Sequence, residues 1–345
     1  MNSLVPKEDR YRIVSMLFLV VGISIVLMSV GGVVFKSIWE GVAGTKLPTF
    51  EELGEVELTR SQSLGMALQM IFTQVTIFGL PALIGAILLG HFKWFTGFPG
   101  RPKWAQLALV PLVILLVLPI VNAVYIPESQ LDFGEGMQEV ETALKEAETK
   151  TEASLEPVLE NFPLLSLIAI ALFPAVCEEL FFRGFLQQSL RSVMNVHVAV
   201  VVTAFIFSLV HGQIYGFFSR WLLGMALGYL VIYANSLWPA ILAHFVYNGF
   251  QLVPFSMQLN GRIDAQAIED SEQLSWWMVL LSAVLLGGVF WMYKRFWEPL
   301  PDWPTRPRPA FDVYSHDGED ADQAQSASKR GIDQSSTRFG EEEKE

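Results

Sequence analysis

Cysteine is nearly absent from this chain, Cys177 being the only one. A single thiol excludes an internal disulfide and any zinc or iron–sulfur centre built from several cysteines. Cys177 itself reads as a small buried hydrophobe beside two acids. Charged residues are also scarce, at 17% of the chain, below the roughly 25% usual for soluble proteins. Two catalytic signatures are missing as well. No HExxH places two histidines and an acid on one helix, and no G-x-S-x-G elbow presents a serine nucleophile. The formal net charge of -12 is concentrated in the loops and tail, so it points to no nucleic-acid partner.

What fills the chain instead is apolar sequence, 52% of its 345 residues. It falls into runs of the length needed to cross about 30 Å of hydrocarbon. The first, Ile13 to about Phe35, is longer than a signal-peptide core and has no clear cleavage site, so it reads as an uncleaved span. Others follow at Gly65 to Gly90, Ala105 to Tyr125, from Phe162 onward, Val198 to His211, Trp221 to Ala234, Trp238 to Leu252 and Leu274 to Tyr293. The expected fold is therefore all-α, a polytopic bundle of about eight transmembrane helices with spans four to seven as its core. Its domain covers residues 1–297 with the core at 162–252, and residues 298–345 form an acidic, disordered tail.

Between the third and fourth spans lies an acid-rich stretch, Ile126 to Asn161. Val140, Leu144 and Ala147 recur there at helical spacing, as in an amphipathic surface helix or a plain solvated one. Gln69 and Gln74 interrupt the second span and are candidates to face other helices. Gly224 and Gly228 give the sixth span a small face for close approach to a neighbour. The positive-inside rule favours a cytoplasmic N-terminus and C-terminus, the links rich in Lys and Arg falling on the cytoplasmic side. That orientation puts the end of the fourth helix, and with it Glu178, toward the cytoplasmic half. The expected location is a bacterial cell membrane.

The fourth span contains CEELFFRG, Cys177 to Gly184, which sets two acids and an arginine in an apolar segment. Charges in such a segment are costly and are kept where they pair, line a cavity or do chemistry. On a helix Glu179 and Arg183, four apart, differ by about 40° in azimuth and can form an ion pair. Glu178 points about 100° away from Glu179, so the arginine compensates it least and it is the better candidate for a general base. Pro174 should free the carbonyl of Ile170 and bend the helix ahead of the acids.

Two more polar pairs sit in the spans that follow. Phe207 and His211 lie four apart at the end of the fifth, and His244 and Asn248 four apart in the seventh, each pair on one helix face. A carboxylate assisted by a histidine can take a proton from water, while a histidine and an amide can donate to the oxyanion of an attacked carbonyl. The same groups allow a second mechanism, a zinc held by Glu178, His211 and His244 that activates the water.

Together these residues resemble the CPBP family of intramembrane proteases, which contains the CAAX prenyl endopeptidases and bacteriocin-processing or self-immunity proteins. The family pattern, EExxxR, FxxxH and HxxxN on separate membrane helices, is met by Glu178, Glu179 and Arg183, then Phe207 and His211, then His244 and Asn248. The resemblance implies a glutamate-dependent endopeptidase without a cofactor, in which Glu178 activates water with help from His211. It implies further that His244 and Asn248 form the oxyanion hole and that Glu179 and Arg183 support the site. The expected substrate is a membrane-associated peptide or protein, prenylated CAAX proteins being one class. The alternative is a non-catalytic membrane scaffold or immunity protein on the same fold.

Overall fold

The computed structural model describes residues 7–89, 102–262 and 275–295. The acidic tail from residue 298, most of the basic link His91 to Lys103 and most of the acidic loop between the last two spans lie outside the described residues. Among the described residues no strand occurs, and the chain forms helices of which eight correspond to the expected spans. They are α1 (Lys7–Ala43), α2 (Arg60–Leu88), α3 (Trp104–Ser129), α5 (Pro163–Val193), α6 (Val196–Leu209), α7 (Phe217–Ala234), α8 (Trp238–Leu259) and α9 (Trp276–Arg295). The additional helix, α4 (Gln138–Asn161), carries the acid-rich sequence.

Six of the eight are long and apolar enough to cross a membrane, so this is an integral membrane protein. The other two depart for different reasons. Helix α6 has only 14 residues, a rise of about 21 Å against about 30 Å of hydrocarbon. Helix α8 has 22 residues but is diluted by His244, Asn248 and Gln251.

Several boundaries differ from the sequence reading. Helix α1 runs on to Ala43, and α8 continues past the expected end at Leu252, through Pro254, to Leu259. Helix α6 stops at Leu209, so His211 lies just beyond the helix and not within it. Glu178 sits halfway along the 31 residues of α5, a correction to its expected place toward one end.

Helix α5 is the centre of the bundle. Its most apolar window is 56% buried against 17% for α1 and α9, which therefore form the periphery. Phe182 and Phe185 are fully buried, and Phe182 packs edge-on against Phe207 of α6 at 5.2 Å between ring centroids. Close approach of α7 depends on its two glycines. A Cβ at Gly228 would stand 2.8 Å from the Gln187 side chain and 2.9 Å from Val200, and one at Gly224 3.0 Å from Ala204. The glycine face expected from the sequence therefore seats α7 on α5 and α6.

Two turns of α5 widen into π-helix, at Leu167–Leu172 and Leu180–Leu186, one on each side of the acids. Pro174 has no N–H to donate to Ile170, and the helix takes up that loss by widening rather than by breaking. Helix α2 widens in the same way at Val75–Gly79, ahead of Pro81. Gln74 immediately precedes that turn.

Candidate active site

The acids at the midpoint of α5 are both buried, Glu178 at 5% exposure and Glu179 at 0%. Arg183, one turn on, is also fully buried, and its Nη1 donates to Glu179 Oε1 at 2.6 Å. The second terminal nitrogen donates to the carbonyl of Gly224 at 3.0 Å. The guanidinium carbon lies 4.5 Å from the centroid of the Phe207 ring. The in-helix ion pair is thus formed as the spacing implied, and a carbonyl and an aromatic face also meet the guanidinium, whose buried Nε has no hydrogen-bond partner.

Phe207 is the hub around which the remaining groups are placed. Its ring lies 4.9 Å from that of His211 and 5.8 Å from that of His244. His211 reaches back from the turn after α6, its Nδ1 2.7 Å from the carbonyl of Phe207. A carbonyl only accepts, so Nδ1 carries the proton and the lone pair of the neutral ring is on Nε2.

His244 lies between the two carboxylates. Its Nδ1 is 2.9 Å from Glu179 Oε1, and its Nε2 is 4.0 Å from Glu178 Oε2. Glu179 therefore holds both Arg183 and His244, while Glu178 is approached at longer range. Asn248, one turn beyond on α8, directs Nδ2 toward the carbonyl of Ile170 at 3.5 Å, the group that Pro174 leaves free.

One residue of the site comes from outside the motifs. Gln74 of α2 donates its amide nitrogen to Glu178 Oε1 at 3.0 Å, across 104 residues of sequence. Its polarity within an apolar span marked it as facing another helix, but nothing local named the partner. The second oxygen of Glu178 is buried and accepts no hydrogen bond from the protein.

A cavity of about 1090 Å³ divides the set. Gln74, Glu178, His211, His244 and Asn248 line it. Glu179, Arg183 and Phe207 do not, and stand behind Glu178 and His244. Among the described residues no three His, Cys, Asp or Glu side chains converge as a metal cage. Glu178, His211 and His244 share the cavity.

These features define a polytopic helical membrane protein with a polar carboxylate–histidine–amide site sunk in its core. Residues 160–250 match the family model described as Rce1-like, type II CAAX prenyl endopeptidase. The match takes in α5, α6, α7 and the site-bearing half of α8, with every residue of the three motifs, and bears out the resemblance to the CPBP proteases. At the level of reaction class it supports a CAAX-type intramembrane protease. No match was found among curated proteins or among solved structures.

Proposed function

We propose that this protein is an endopeptidase that hydrolyses peptide bonds of membrane-associated substrates with water activated by Glu178. The observation that carries the reading is the division of labour between the adjacent acids. Glu179 is engaged by Arg183 and His244 away from the cavity, whereas Glu178 faces the cavity with one oxygen held by Gln74 and the other without a protein partner.

A water beside the unpartnered oxygen of Glu178 gives its proton to that carboxylate as its oxygen attacks the peptide carbonyl. The Nε2 lone pair of His211 assists by accepting a hydrogen bond from the same water. The carbonyl π electrons move to oxygen, and the oxyanion is met by donors from α8. Asn248 donates through its amide, and His244 through Nε2 in its protonated form, its Nδ1 held toward Glu179. Collapse of the tetrahedral intermediate breaks the C–N bond as Glu178 returns the proton to the leaving nitrogen. The products are a carboxylate and an amine, and the glutamate is regenerated. No step calls for a metal or other cofactor.

The test compares newly formed termini in membrane proteomes of a null strain carrying either this protein or its Glu178→Gln form at matched abundance. New termini with Glu178 alone are expected, and they would name the substrates and show whether these are prenylated. Identical termini, with any null phenotype rescued equally by both forms, would overturn the protease in favour of the scaffold or immunity protein.

A further inference from the structure

Beyond the site, the residues that line the cavity all come from one end of the bundle. It is lined there by Lys36 near the end of α1, by Phe50 and Leu53 of the following connector, by Leu155 of α4 and by Phe255 and Gln258 near the end of α8. In an antiparallel bundle these all belong to the same end, the one at which α1, α3, α6 and α8 finish. Connector 44–59 and α4 frame the mouth together: both line the cavity, and a Cβ on Gly54 would touch Ala153 at 3.4 Å.

The two ends differ sharply in charge. Arg10, Arg12, Lys103, Arg191, Lys294 and Arg295 all flank the end away from the cavity. The connectors at the cavity end carry Glu51, Glu52, Glu55 and Glu57 in one stretch and a preponderance of acids along α4, against Lys46, Lys145 and Lys150. Of four further cations at that end, Arg262 follows α8 and three are satisfied by the protein. Lys36 donates to the Pro48 carbonyl, Arg60 lies over the Phe162 ring, and Arg220 donates to the carbonyls of Gln213 and Tyr215. By the positive-inside rule the end with flanking arginines and lysines is cytoplasmic.

We infer that the cavity is loaded from the non-cytoplasmic side of the membrane, beneath α4. Its substrates are accordingly peptide segments presented at that surface, such as the exposed flanks of membrane-spanning or exported chains, and not lipidated C-termini displayed in the cytoplasm. The substrate class rests on the protease reading, but the sidedness does not, because cavity geometry and flanking charge fix it whether or not Glu178 acts as a base.

The experiment therefore reads sidedness without activity. Full-length protein in a bacterial inner membrane would carry Ser154→Cys or Gln258→Cys, two positions lining the cavity, or His197→Cys, an exposed position at the other end. Cys177 is buried and provides the background in the unsubstituted chain. A membrane-impermeant maleimide should label both cavity cysteines in spheroplasts, with loss of that label in inside-out vesicles and the reverse for His197→Cys. Label at the cavity positions in inside-out vesicles alone would overturn the inference. Repeating the labelling on a Glu178→Gln background separates the two questions. An unchanged pattern with loss of cleavage upholds both readings, and an unchanged pattern with cleavage intact sinks the glutamate mechanism alone.

Discussion

Removing Arg183 should damage the protein in a way that a second substitution repairs only in part. In the native bundle Glu179 Oε1 accepts from Arg183 at 2.6 Å and lies 2.9 Å from His244 Nδ1, with both members of the ion pair at 0% exposure. Arg183→Met leaves a carboxylate buried without its main countercharge and the Gly224 carbonyl without its donor. Breaking one side of such a pair costs about 3–5 kcal/mol. Glu179→Gln should be costly as well, since Arg183 is then the uncompensated charge. The double variant Glu179→Gln/Arg183→Met has no buried charge at this point, and replacing a whole buried pair by neutral groups is close to neutral in stability. Thermal or denaturant unfolding of the purified protein in detergent would give the double-mutant cycle, with the double variant destabilised by several kcal/mol less than the sum of the two single variants. Activity should not follow stability. The double variant has lost the carboxylate that positions His244, so it should refold to near-native stability and stay impaired in turnover. Additive destabilisation would refute the buried-pair argument, and full activity in the double variant would refute the role given to His244.

Other outcomes follow from neighbouring contacts. Gln74→Leu should lower kcat about tenfold to hundredfold with KM little changed, the worth of a hydrogen bond to a charged group, and a change confined to KM would mean that Gln74 only shapes the cavity. Glu148 and Glu152 on α4 have carboxyls pushed above their ordinary value by burial. A raised folded-state value favours docking at low pH and loses that contribution as pH rises through the carboxylate range. Glu141 and Glu146 act with the opposite sign, held down by hydrogen bonds from Lys145 and Lys150. Glu148→Gln/Glu152→Gln should therefore dock α4 more firmly at neutral pH, seen as slower amide exchange over residues 148–158, and unchanged exchange would refute the assignment. Activity should survive chelation and metal-free preparation, and a loss restored by zinc would refute the metal-free mechanism in favour of the metal one.

Much of this protein is determined by sequence alone, because the forces involved are local or follow from composition. Apolar runs must become helices in hydrocarbon, which leaves backbone groups no other partner, and all eight were legible. The Glu179–Arg183 pair was legible because four residues make one helical turn, and the separation of Glu178 from it followed from the same geometry. The free carbonyl of Ile170 was implied by Pro174, although the π-helical widening and the approach of Asn248 were not. Tertiary structure decided the rest. Nothing near Gln74 in the chain specifies Glu178, 104 residues away, as its partner. That His244 lies between both acids, that Phe207 holds the two histidines and the arginine, and that His211 falls beyond its helix all depend on how α5, α6 and α8 cross. The end at which the cavity opens depends on packing too, because helix periodicity gives the face a side chain occupies but not the depth at which neighbouring helices close over it.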